Sequence, residues 1–562
     1  MFRSFNTLRR SIHYSKQFTG AVTIPSVQNE PFKHYAKGSQ EREQLYEECQ
    51  KYLSPDYKPV EIPVIINGKE IKTGNTYKRE FPADRSKTLF VGHKATKELI
   101  AEAIESSLEV KSKWEALPMD QRASIFLKAA DMISGKYRYK VMAATMMGQG
   151  KTAWQAEIDS AVETIDFLRF NAKYAEDIYK VQPVHHAPGS WNKLDYRPLE
   201  GFVAAISPFN FTAIGANLCC SPLQMGNVVA WKPAHTSLLS NYIIYDILRE
   251  AGLPDGVLQF LPSNGPDFSE VALNHRDLAG LHFTGSTKTF NLLQRNIANN
   301  LENYRAYPRV VGETGGKNFH LCHPSANIDN FVNNSLRGAF EYSGQKCSAT
   351  SRAYVPASKW EEVRTKLVEG AKELTVGQPQ DYSSFLSCVI DEASFDKISG
   401  YIDRAKQDPD CEIIAGGDFS KDKGYFVQPT IIFTKNPKSE TMREEIFGPV
   451  LTVCVYEDSK LDETLDLIDG TSNYGLTGSI FSTDREALMY CSSRLRHAAG
   501  NMYWNDKSTG AVVGNQPFGG SRQSGTNDKA GSMFNLLRWI SVRSIKENFV
   551  DISSTQYPST QA

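Results

Sequence analysis

An alternation of buried strands and helices begins at Gly201 and constrains the fold of this chain more than any other feature. Apolar runs such as "GFVAAISP", "NVVAWKPA", "LAGLHFTG" and "YPRVVGETGG" are separated by helical stretches such as "SLLSNYIIYDILREAG". This order is typical of parallel βαβ units, which bind ligands beyond the carboxyl ends of their strands. The sequence therefore predicts an α/β fold with a ligand groove at these strand ends: Ser207, Lys232, Thr284–Ser286 and Glu313–Gly315.

A second α/β set follows from residue 318 to about 505, with strand candidates such as "NFHLC", "SRAYV" and "PVLTVCVY". The stretch 179–201 is punctuated by proline and glycine, which predicts a projecting hairpin. The C-terminal stretch "LLRWISVRSIKENFV" predicts a second extended arm. Two projecting arms indicate a subunit interface, so we expect two α/β domains and a homo-oligomer.

Composition excludes several classes of function. The formal net charge is −1 and no polybasic run occurs, which argues against a nucleic-acid partner. No apolar stretch reaches the ~18 residues that a membrane-spanning helix needs. The nine cysteines are dispersed and form no CxxC pair, so the chain offers neither a disulfide framework nor zinc-ligand spacing. We therefore expect no metal site.

The first 24 residues differ in composition from the rest. Basic residues recur in "MFRSFNTLRRSIHYSKQFTG", and the first acidic residue is Glu30. Apolar residues recur beside the basic ones at helical spacing, as in a mitochondrial transit peptide. We predict such a peptide over residues 1–24 and a location in the mitochondrial matrix. A disordered basic tail is the alternative.

Cys347 differs from a typical structural cysteine because its neighbours, "SGQK" and "SAT", are polar rather than apolar. This setting makes it a candidate nucleophile. Gly285 and Ser286 precede a predicted helix, whose free N–H groups favour an anion. The stretch "GQGKT" does not complete a phosphate-binding loop, because Thr145 stands where that motif requires its first glycine.

The order of seven short motifs is more specific than any one of them. The chain contains, in sequence, "ISPFNFTA", "WKPA", "FTGST", "GETGGKN", "GQKCSA", "EEIFGPV" and "PFGGSRQSG". This series resembles the aldehyde dehydrogenase superfamily from about residue 60 to 550. The resemblance implies the aldehyde dehydrogenase fold, with a Rossmann-like NAD domain, an α/β catalytic domain and a β oligomerisation arm.

The resemblance also implies a catalytic role for three residues. Cys347 would attack the aldehyde carbon, and its backbone N–H together with the side-chain amide of Asn210 would hold the oxyanion. Glu313 would be the general base that activates water.

With NAD as the implied cofactor, six residues would contact it. Lys232 would meet the adenosine ribose, and Gly285 and Ser286 the pyrophosphate. Ser207 would lie along the cofactor groove, Glu445 would bind the nicotinamide ribose, and Phe447 would pack beside the nicotinamide. The implied boundaries are 25–311 for the NAD domain, with 181–200 in the oligomerisation arm, 312–506 for the catalytic domain, and 507–562 for a substrate-anchor loop and C-terminal arm.

Within the superfamily, the motifs resemble the mitochondrial branch that oxidises L-glutamate γ-semialdehyde to L-glutamate, the second step of proline breakdown. Phe211 then follows Asn210, and "STGA" spans residues 508–511. For this substrate, the hydroxyl of Ser348 and the backbone N–H groups of Gly510 and Ala511 would hold the α-carboxylate. The rings of Phe211 and Phe518 would enclose its methylene groups.

Two alternatives remain open at the level of sequence. The chain could oxidise another ω-semialdehyde, such as succinate semialdehyde, within the same superfamily. It could also be a binding protein that kept the fold and lost the activity. The presence of both Cys347 and Asn210 argues against the second alternative.

Overall fold

The computed structural model describes residues 22–561. The predicted transit peptide therefore lies outside the described residues, except for its last three positions. The N-terminal third contains these elements: α1 (Gln40–Leu53), β1 (Val60–Ile62), β2 (Val64–Ile66), β3 (Lys69–Ile71), β4 (Thr76–Phe81), β5 (Asp84–His93), α2 (Lys97–Glu115), α3 (Met119–Ser134), α4 (Arg138–Gln149), α5 (Ala153–Ala156) and α6 (Thr164–Tyr179). A π-helical segment, Glu157–Glu163, joins α5 to α6.

The middle of the chain alternates strand and helix, as the sequence predicts. Its elements are β6 (Ser190–Pro198), β7 (Phe202–Ile206), α7 (Thr212–Gln224), β8 (Val228–Lys232), α8 (Leu238–Ala251), β9 (Leu258–Phe260), α9 (Gly265–Asn274), β10 (Leu278–Thr284), α10 (Thr287–Ala298) and β11 (Arg309–Glu313). Strands β7 to β11 pair in parallel in the order β11-β10-β7-β8-β9, and β2 and β3 extend this sheet antiparallel to seven strands. The buried apolar runs form its centre, since every residue of β8 is buried.

The remaining elements form the second half of the molecule. They are β12 (Asn318–Cys322), α11 (Ile328–Phe340), β13 (Thr350–Pro356), α12 (Trp360–Glu373), α13 (Glu392–Gln407), β14 (Cys411–Ala415), β15 (Phe419–Ser420), β16 (Phe426–Val427), β17 (Thr430–Thr434), α14 (Glu440–Arg443), β18 (Val450–Tyr456), α15 (Leu461–Gly470), β19 (Tyr474–Gly475), β20 (Thr477–Phe481), α16 (Arg485–Arg494), β21 (Asn501–Trp504), β22 (Ser521–Arg522), α17 (Met533–Leu537) and β23 (Ile540–Asn548). A second seven-stranded sheet has the order β14-β17-β18-β13-β12-β20-β21 and is parallel except at β14.

The α/β fold class is confirmed by these two sheets. The first sheet ends at β11 and the second contains β12, so the predicted boundary at residue 312 falls inside β11. We propose that the two domains meet at residues 314–317 instead.

The hairpin predicted at 179–201 is wrong. Strand β6 does not turn back on itself but pairs antiparallel with β23, from Ser190 opposite Asn548 to Pro198 opposite Ile540. The two arms predicted from sequence are therefore one two-stranded ribbon. Proline and glycine correctly predict a turn before β6, but they do not indicate that its partner strand is β23, far along the chain.

Candidate active site

Cys347 lies in a tight turn between α11 and β13. Tyr342, Ser343 and Gly344 precede it with left-handed φ values of 52°, 52° and 67°. A Cβ at Gly344 would lie 2.1 Å from the carbonyl oxygen of Gly448, so only glycine fits there. This turn explains the glycine and polar residues before Cys347, and it leaves the cysteine partly accessible.

The Cys347 thiol is surrounded by groups that favour its neutral form. Burial raises its pKa above the usual range, and the nearby carboxyls of Glu313 and Glu445 raise it further. A hydrogen bond from the backbone N–H of Ser348 acts in the opposite direction. The thiol therefore rests protonated, and a base is needed to make it a nucleophile.

Asn210 lies in the loop between β7 and α7 and is buried. Its Nδ2 donates to the carbonyl oxygen of Gln345, two residues before Cys347, over 3.1 Å. An amide group carries a second N–H, which remains for a ligand. The backbone N–H of Cys347 has no acceptor within residues 22–561. Two donors beside one thiol are the arrangement that an oxyanion requires.

Glu313 ends β11, and its carboxylate accepts a hydrogen bond from the backbone N–H of Gly520 over 3.2 Å. Burial raises the pKa of this carboxyl well above its usual range, while the Gly520 N–H and the Lys529 ammonium oppose the shift. A carboxyl with a raised pKa is suited to accept a proton near neutral pH. Glu313 and Cys347 line the same cavity.

A groove at the carboxyl ends of the first sheet brings together five of the six residues expected to contact the cofactor. It is lined by Ser207, Gly285, Ser286, Glu445 and Phe447, and Cys347 also lines it. Ser286 caps α10 by accepting the backbone N–H of Thr289 over 3.2 Å. The start of this twelve-residue helix therefore faces the groove, where its partial positive charge favours an anion.

Lys232, the sixth residue, lines an adjoining cavity together with Ile206 and Glu270. Burial lowers the pKa of its ammonium group to about 8. In the groove itself, Glu445 accepts the backbone N–H of Gly316 over 2.9 Å, and burial raises the pKa of its carboxyl. Phe447 has a left-handed φ of 61° and packs edge-on against Phe209.

A second cavity adjoins the groove at Cys347. All five residues expected to contact the substrate line it: Phe211, Ser348, Gly510, Ala511 and Phe518. Cys347 lines both this cavity and the groove. Phe283 and Thr284 also line both spaces, so ligands in the two spaces can meet beside the thiol.

The loop that contains Gly510 and Ala511 is fixed beside the nucleophile. The hydroxyl of Thr509 lies 2.8 Å from that of Ser348. Gly510 has a φ of 101°, which a side chain would strain. The backbone N–H groups of Gly510 and Ala511 have no acceptor in the described part of the chain. These two N–H groups and the Ser348 hydroxyl form a site suited to a carboxylate.

Glu163 lines the same cavity, and sequence reasoning missed it. It ends the π-helical segment between α5 and α6. Burial raises the pKa of its carboxyl to about 8, and Asp159 adds to the shift. No hydrogen-bond partner of this carboxyl occurs among residues 22–561. In the sequence, Glu163 lies in "AVETIDFLRF", which also contains Asp166 and Arg169, so no local pattern distinguishes it.

A buried ion pair behind the cavity was also missed. Lys151 donates to Asp159 over 2.6 Å, and its ammonium lies 3.9 Å from the centre of the Phe211 ring. Asp159 in turn accepts the backbone N–H groups of Thr212 and Ala213 at the start of α7. The lysine of the rejected "GQGKT" motif thus fixes the loop that carries Asn210 and Phe211.

The described residues give no support for a metal centre or a membrane span. Within residues 22–561, no group of three or more histidine, cysteine or acidic side chains could hold a metal ion. No helix in that range is long and apolar enough to cross a membrane.

The amino-acid sequence is similar to that of known proteins over nearly its whole length. The profile of the aldehyde dehydrogenase family matches residues 71–545. The mitochondrial delta-1-pyrroline-5-carboxylate dehydrogenase of Dictyostelium discoideum is 57% identical over 539 residues, which cover 96% of each chain. The human mitochondrial protein of the same name is 47% identical and covers 99% of each chain.

Solved structures agree with these relatives. The delta-pyrroline-5-carboxylate dehydrogenase of Mycobacterium tuberculosis, bound with NAD, is 45% identical and superposes with a TM-score of 0.93 over 97% of this chain and 100% of its own. The 1-pyrroline-5-carboxylate dehydrogenase from Thermus, also with bound NAD, is 30% identical, with a TM-score of 0.88 over 94% of this chain and 100% of its own.

Proposed function

This chain belongs to the aldehyde dehydrogenase family, and we propose that it oxidises L-glutamate γ-semialdehyde to L-glutamate with NAD as cofactor. The substrate forms from Δ1-pyrroline-5-carboxylate by ring opening, and the reaction is the second step of proline breakdown. The observation that carries this proposal is the cavity beside Cys347. Within residues 22–561, the N–H groups of Gly510 and Ala511 in this cavity have no acceptor, and the carboxyl of Glu163 has no hydrogen-bond partner.

In the first step, Cys347 is the nucleophile. Glu313 accepts the thiol proton through a water molecule, and Sγ forms a bond to the aldehyde carbon. The carbonyl oxygen becomes an oxyanion, which accepts hydrogen bonds from Asn210 Nδ2 and from the backbone N–H of Cys347. A single donor of this kind contributes about 2.7–4 kcal/mol to transition-state stabilisation.

The residues of the groove fit NAD. The start of α10 offers N–H groups to a pyrophosphate, while the Lys232 ammonium and the Glu445 carboxylate are suited to ribose hydroxyls. Bound NAD supplies the hydride acceptor, so that the substrate carbon is oxidised to the level of a thioester on Cys347. Because Cys347 lines both spaces, it holds this carbon at the entrance to the groove.

After Glu313 has released the thiol proton to solvent, it removes a proton from water in the last step, and the hydroxide oxygen adds to the thioester carbon. The bond from that carbon to Sγ then breaks, the Cys347 thiolate regains a proton, and the carboxylic acid leaves as L-glutamate. Burial raises the pKa of Glu313 above that of an exposed carboxyl, which makes its carboxylate a stronger base and supports this role.

The substrate carries a second set of charges at its far end. We assign the α-carboxylate to Ser348, Gly510 and Ala511, and the α-ammonium to Glu163. Without an ammonium beside it, the Glu163 carboxyl is largely neutral at pH 7, because burial raises its pKa to about 8. An ammonium beside it would favour the charged carboxylate. Phe211 and Phe518 then pack against the methylene groups between the two ends.

The same proposal extends to location and assembly. We assign the protein to the mitochondrial matrix, and to a homodimer or a larger homo-oligomer that forms through the β6–β23 ribbon. Trp191 and Val542 on that ribbon are exposed, which supports an interface. Ile24 packs against Ala123 and Ala172, so we place transit-peptide cleavage before Ile24 and not after it.

A substrate panel tests the proposed function. NADH formation is followed with Δ1-pyrroline-5-carboxylate, succinate semialdehyde and propanal. Succinate semialdehyde has a carboxylate but no ammonium, and propanal has neither. We expect kcat/KM to fall in that order. Equal or higher activity with succinate semialdehyde would reassign the chain to another ω-semialdehyde. Activity with none of the three would favour a protein that binds but does not catalyse.

A further inference from the structure

His320 is a buried histidine of β12 that no motif brought to attention. Its side chain is fully buried, at 0% exposure. Its Nε2 accepts the backbone N–H of Ser508 over 3.1 Å, and its Nδ1 lies 2.9 Å from the hydroxyl of Ser335 on α11. A histidine from the centre of the second sheet therefore supports the start of the loop Ser508–Ala511, which we call the anchor loop.

The hydrogen bonds fix the state of this ring. A backbone N–H can only donate, so Nε2 must be the unprotonated nitrogen. Nδ1 then carries the proton and donates to Ser335. Burial lowers the pKa of His320 to about 3, so the ring stays neutral over the working pH range. Nε2 of His320 therefore remains a hydrogen-bond acceptor for the anchor loop over the working pH range.

The network continues from His320 to the nucleophile. The hydroxyl of Thr350 lies 2.9 Å from Nε2 and 3.0 Å from the hydroxyl of Ser508. Ser508 donates to the carbonyl oxygen of Ser348 over 3.1 Å, and the hydroxyl of Ser348 lies 2.8 Å from that of Thr509. One buried acceptor thus connects the anchor loop with the residue next to Cys347.

We propose that His320 is a positioning residue for substrate specificity, which holds the anchor loop so that its free N–H groups and the Ser348 hydroxyl converge on the α-carboxylate. This inference rests on the proposed function. His320 does not touch the substrate. It acts through Ser508, and its loss affects the carboxylate end of the cavity more than the thiol.

Two substitutions separate positioning from packing. His320→Gln places an amide oxygen near the position of Nε2 and keeps an acceptor for the Ser508 N–H. His320→Asn reaches only the position of Nδ1 and leaves that N–H without a partner. We expect His320→Asn to raise KM for glutamate semialdehyde and the dissociation constant of the product, L-glutamate, by about tenfold, because one buried hydrogen bond is lost.

The Gln variant should restore both constants to within about threefold of the wild type. The kcat for either substrate and the kcat/KM for propanal should change by no more than about twofold in both variants. L-glutamate affinity is measured by calorimetry without turnover, and the thermal transition of each variant is recorded alongside. Equal losses with both substrates, or equal effects of Asn and Gln, would overturn the positioning role.

A second substitution tests the inference if His320→Asn does not fold. In Ser335→Ala, the acceptor for the Nδ1 proton is gone, so the ring can carry its proton on Nε2 and oppose the Ser508 N–H. Weaker L-glutamate binding would support the inference, and unchanged binding in folded protein would overturn it. A wild-type enzyme that does not prefer glutamate semialdehyde to propanal would remove the proposed function, and this inference with it.

Discussion

The cofactor groove and the substrate cavity meet at Cys347 but are assembled from different parts of the chain. In the groove, Ser207, Lys232 and Gly285 each end or follow a strand of one parallel sheet. In the cavity, Glu163 comes from a π-helical segment, Ser348 from the turn after Cys347, and Gly510 from a loop held by hydrogen bonds. The groove is therefore formed by the ends of one sheet, whereas the cavity depends on contacts between distant segments.

This difference has a functional consequence. Strand ends and helix starts present backbone groups whose positions follow from the sheet, so changes in single side chains have limited effects on the groove. The anchor loop belongs to neither sheet and is held by hydrogen bonds with Ser348 and His320. Substitutions around the cavity should therefore change specificity selectively, while those in the groove change cofactor affinity.

Replacement of Cys347 by alanine gives the largest expected effect, because this residue belongs to both spaces. We expect no detectable NADH formation with any aldehyde, since the bond between sulfur and substrate cannot form. NAD binding should survive, because the groove keeps all its other residues. Stopped-flow absorbance for turnover and fluorescence titration for NAD provide the measurements. Aldehyde oxidation by the folded variant would refute the assigned nucleophile.

Replacement of Asn210 by alanine should have the next largest effect. The oxyanion loses one of two donors, which typically lowers kcat by about 10²–10³-fold. KM for NAD and for the aldehyde should change little, because Asn210 acts in the transition state. The kcat values with glutamate semialdehyde and with propanal should fall in parallel. A change in KM alone would mean that Asn210 shapes the cavity and does not stabilise charge.

The same comparison explains what could be predicted from sequence. The α/β fold and the parallel order could be predicted because apolar strands and helices alternate locally, and the groove could be proposed because its residues sit at strand ends. The pairing of β6 with β23 could not, because hydrogen bonds between remote strands leave no local pattern. Glu163 and His320 were missed for the same reason. Their importance depends on which distant residues face them.

Replacement of Ser348 by alanine tests the substrate cavity on its own. A hydrogen bond to a charged group contributes about 1.5–3 kcal/mol, so kcat/KM for glutamate semialdehyde should fall by roughly 10- to 150-fold. Propanal has no carboxylate, so its smaller rate should change little. A bulkier change, Ala511→Leu, should act in the same direction by blocking the carboxylate site.

The matched variant in the groove is Lys232→Met. It removes the buried ammonium and should raise KM for NAD by about tenfold while the preference between the two aldehydes stays the same. If Ser348→Ala lowered kcat/KM equally for both aldehydes, the effect would be on the adjacent nucleophile. If Lys232→Met altered aldehyde preference, the two spaces would not be as separate as their construction indicates.

Glu163→Gln should give the smallest effect, and it tests the cavity in the absence of substrate. Burial raises the pKa of Glu163 from 4.5 to about 8 in the folded protein. Between these values the folded state binds more protons than the unfolded state, so this group's contribution to stability is complete below about pH 4.5 and is lost as pH rises through 8. The amide does not titrate, so the variant should lose less thermal stability than the wild type over that interval, by on the order of 1–2 °C.

The wild type and Glu163→Gln should therefore have similar melting temperatures at pH 5 and differ at pH 8, where the variant is the more stable. Saturating L-glutamate should remove or reverse that difference, because the ammonium of the product stabilises the carboxylate and not the amide. Buried carboxyls elsewhere, such as Glu313 and Glu445, titrate in both proteins and cancel in the comparison. A difference that is already present at pH 5, or one that L-glutamate leaves unchanged, would show that Glu163 does not face the ammonium and that the cavity selects its substrate by the carboxylate alone.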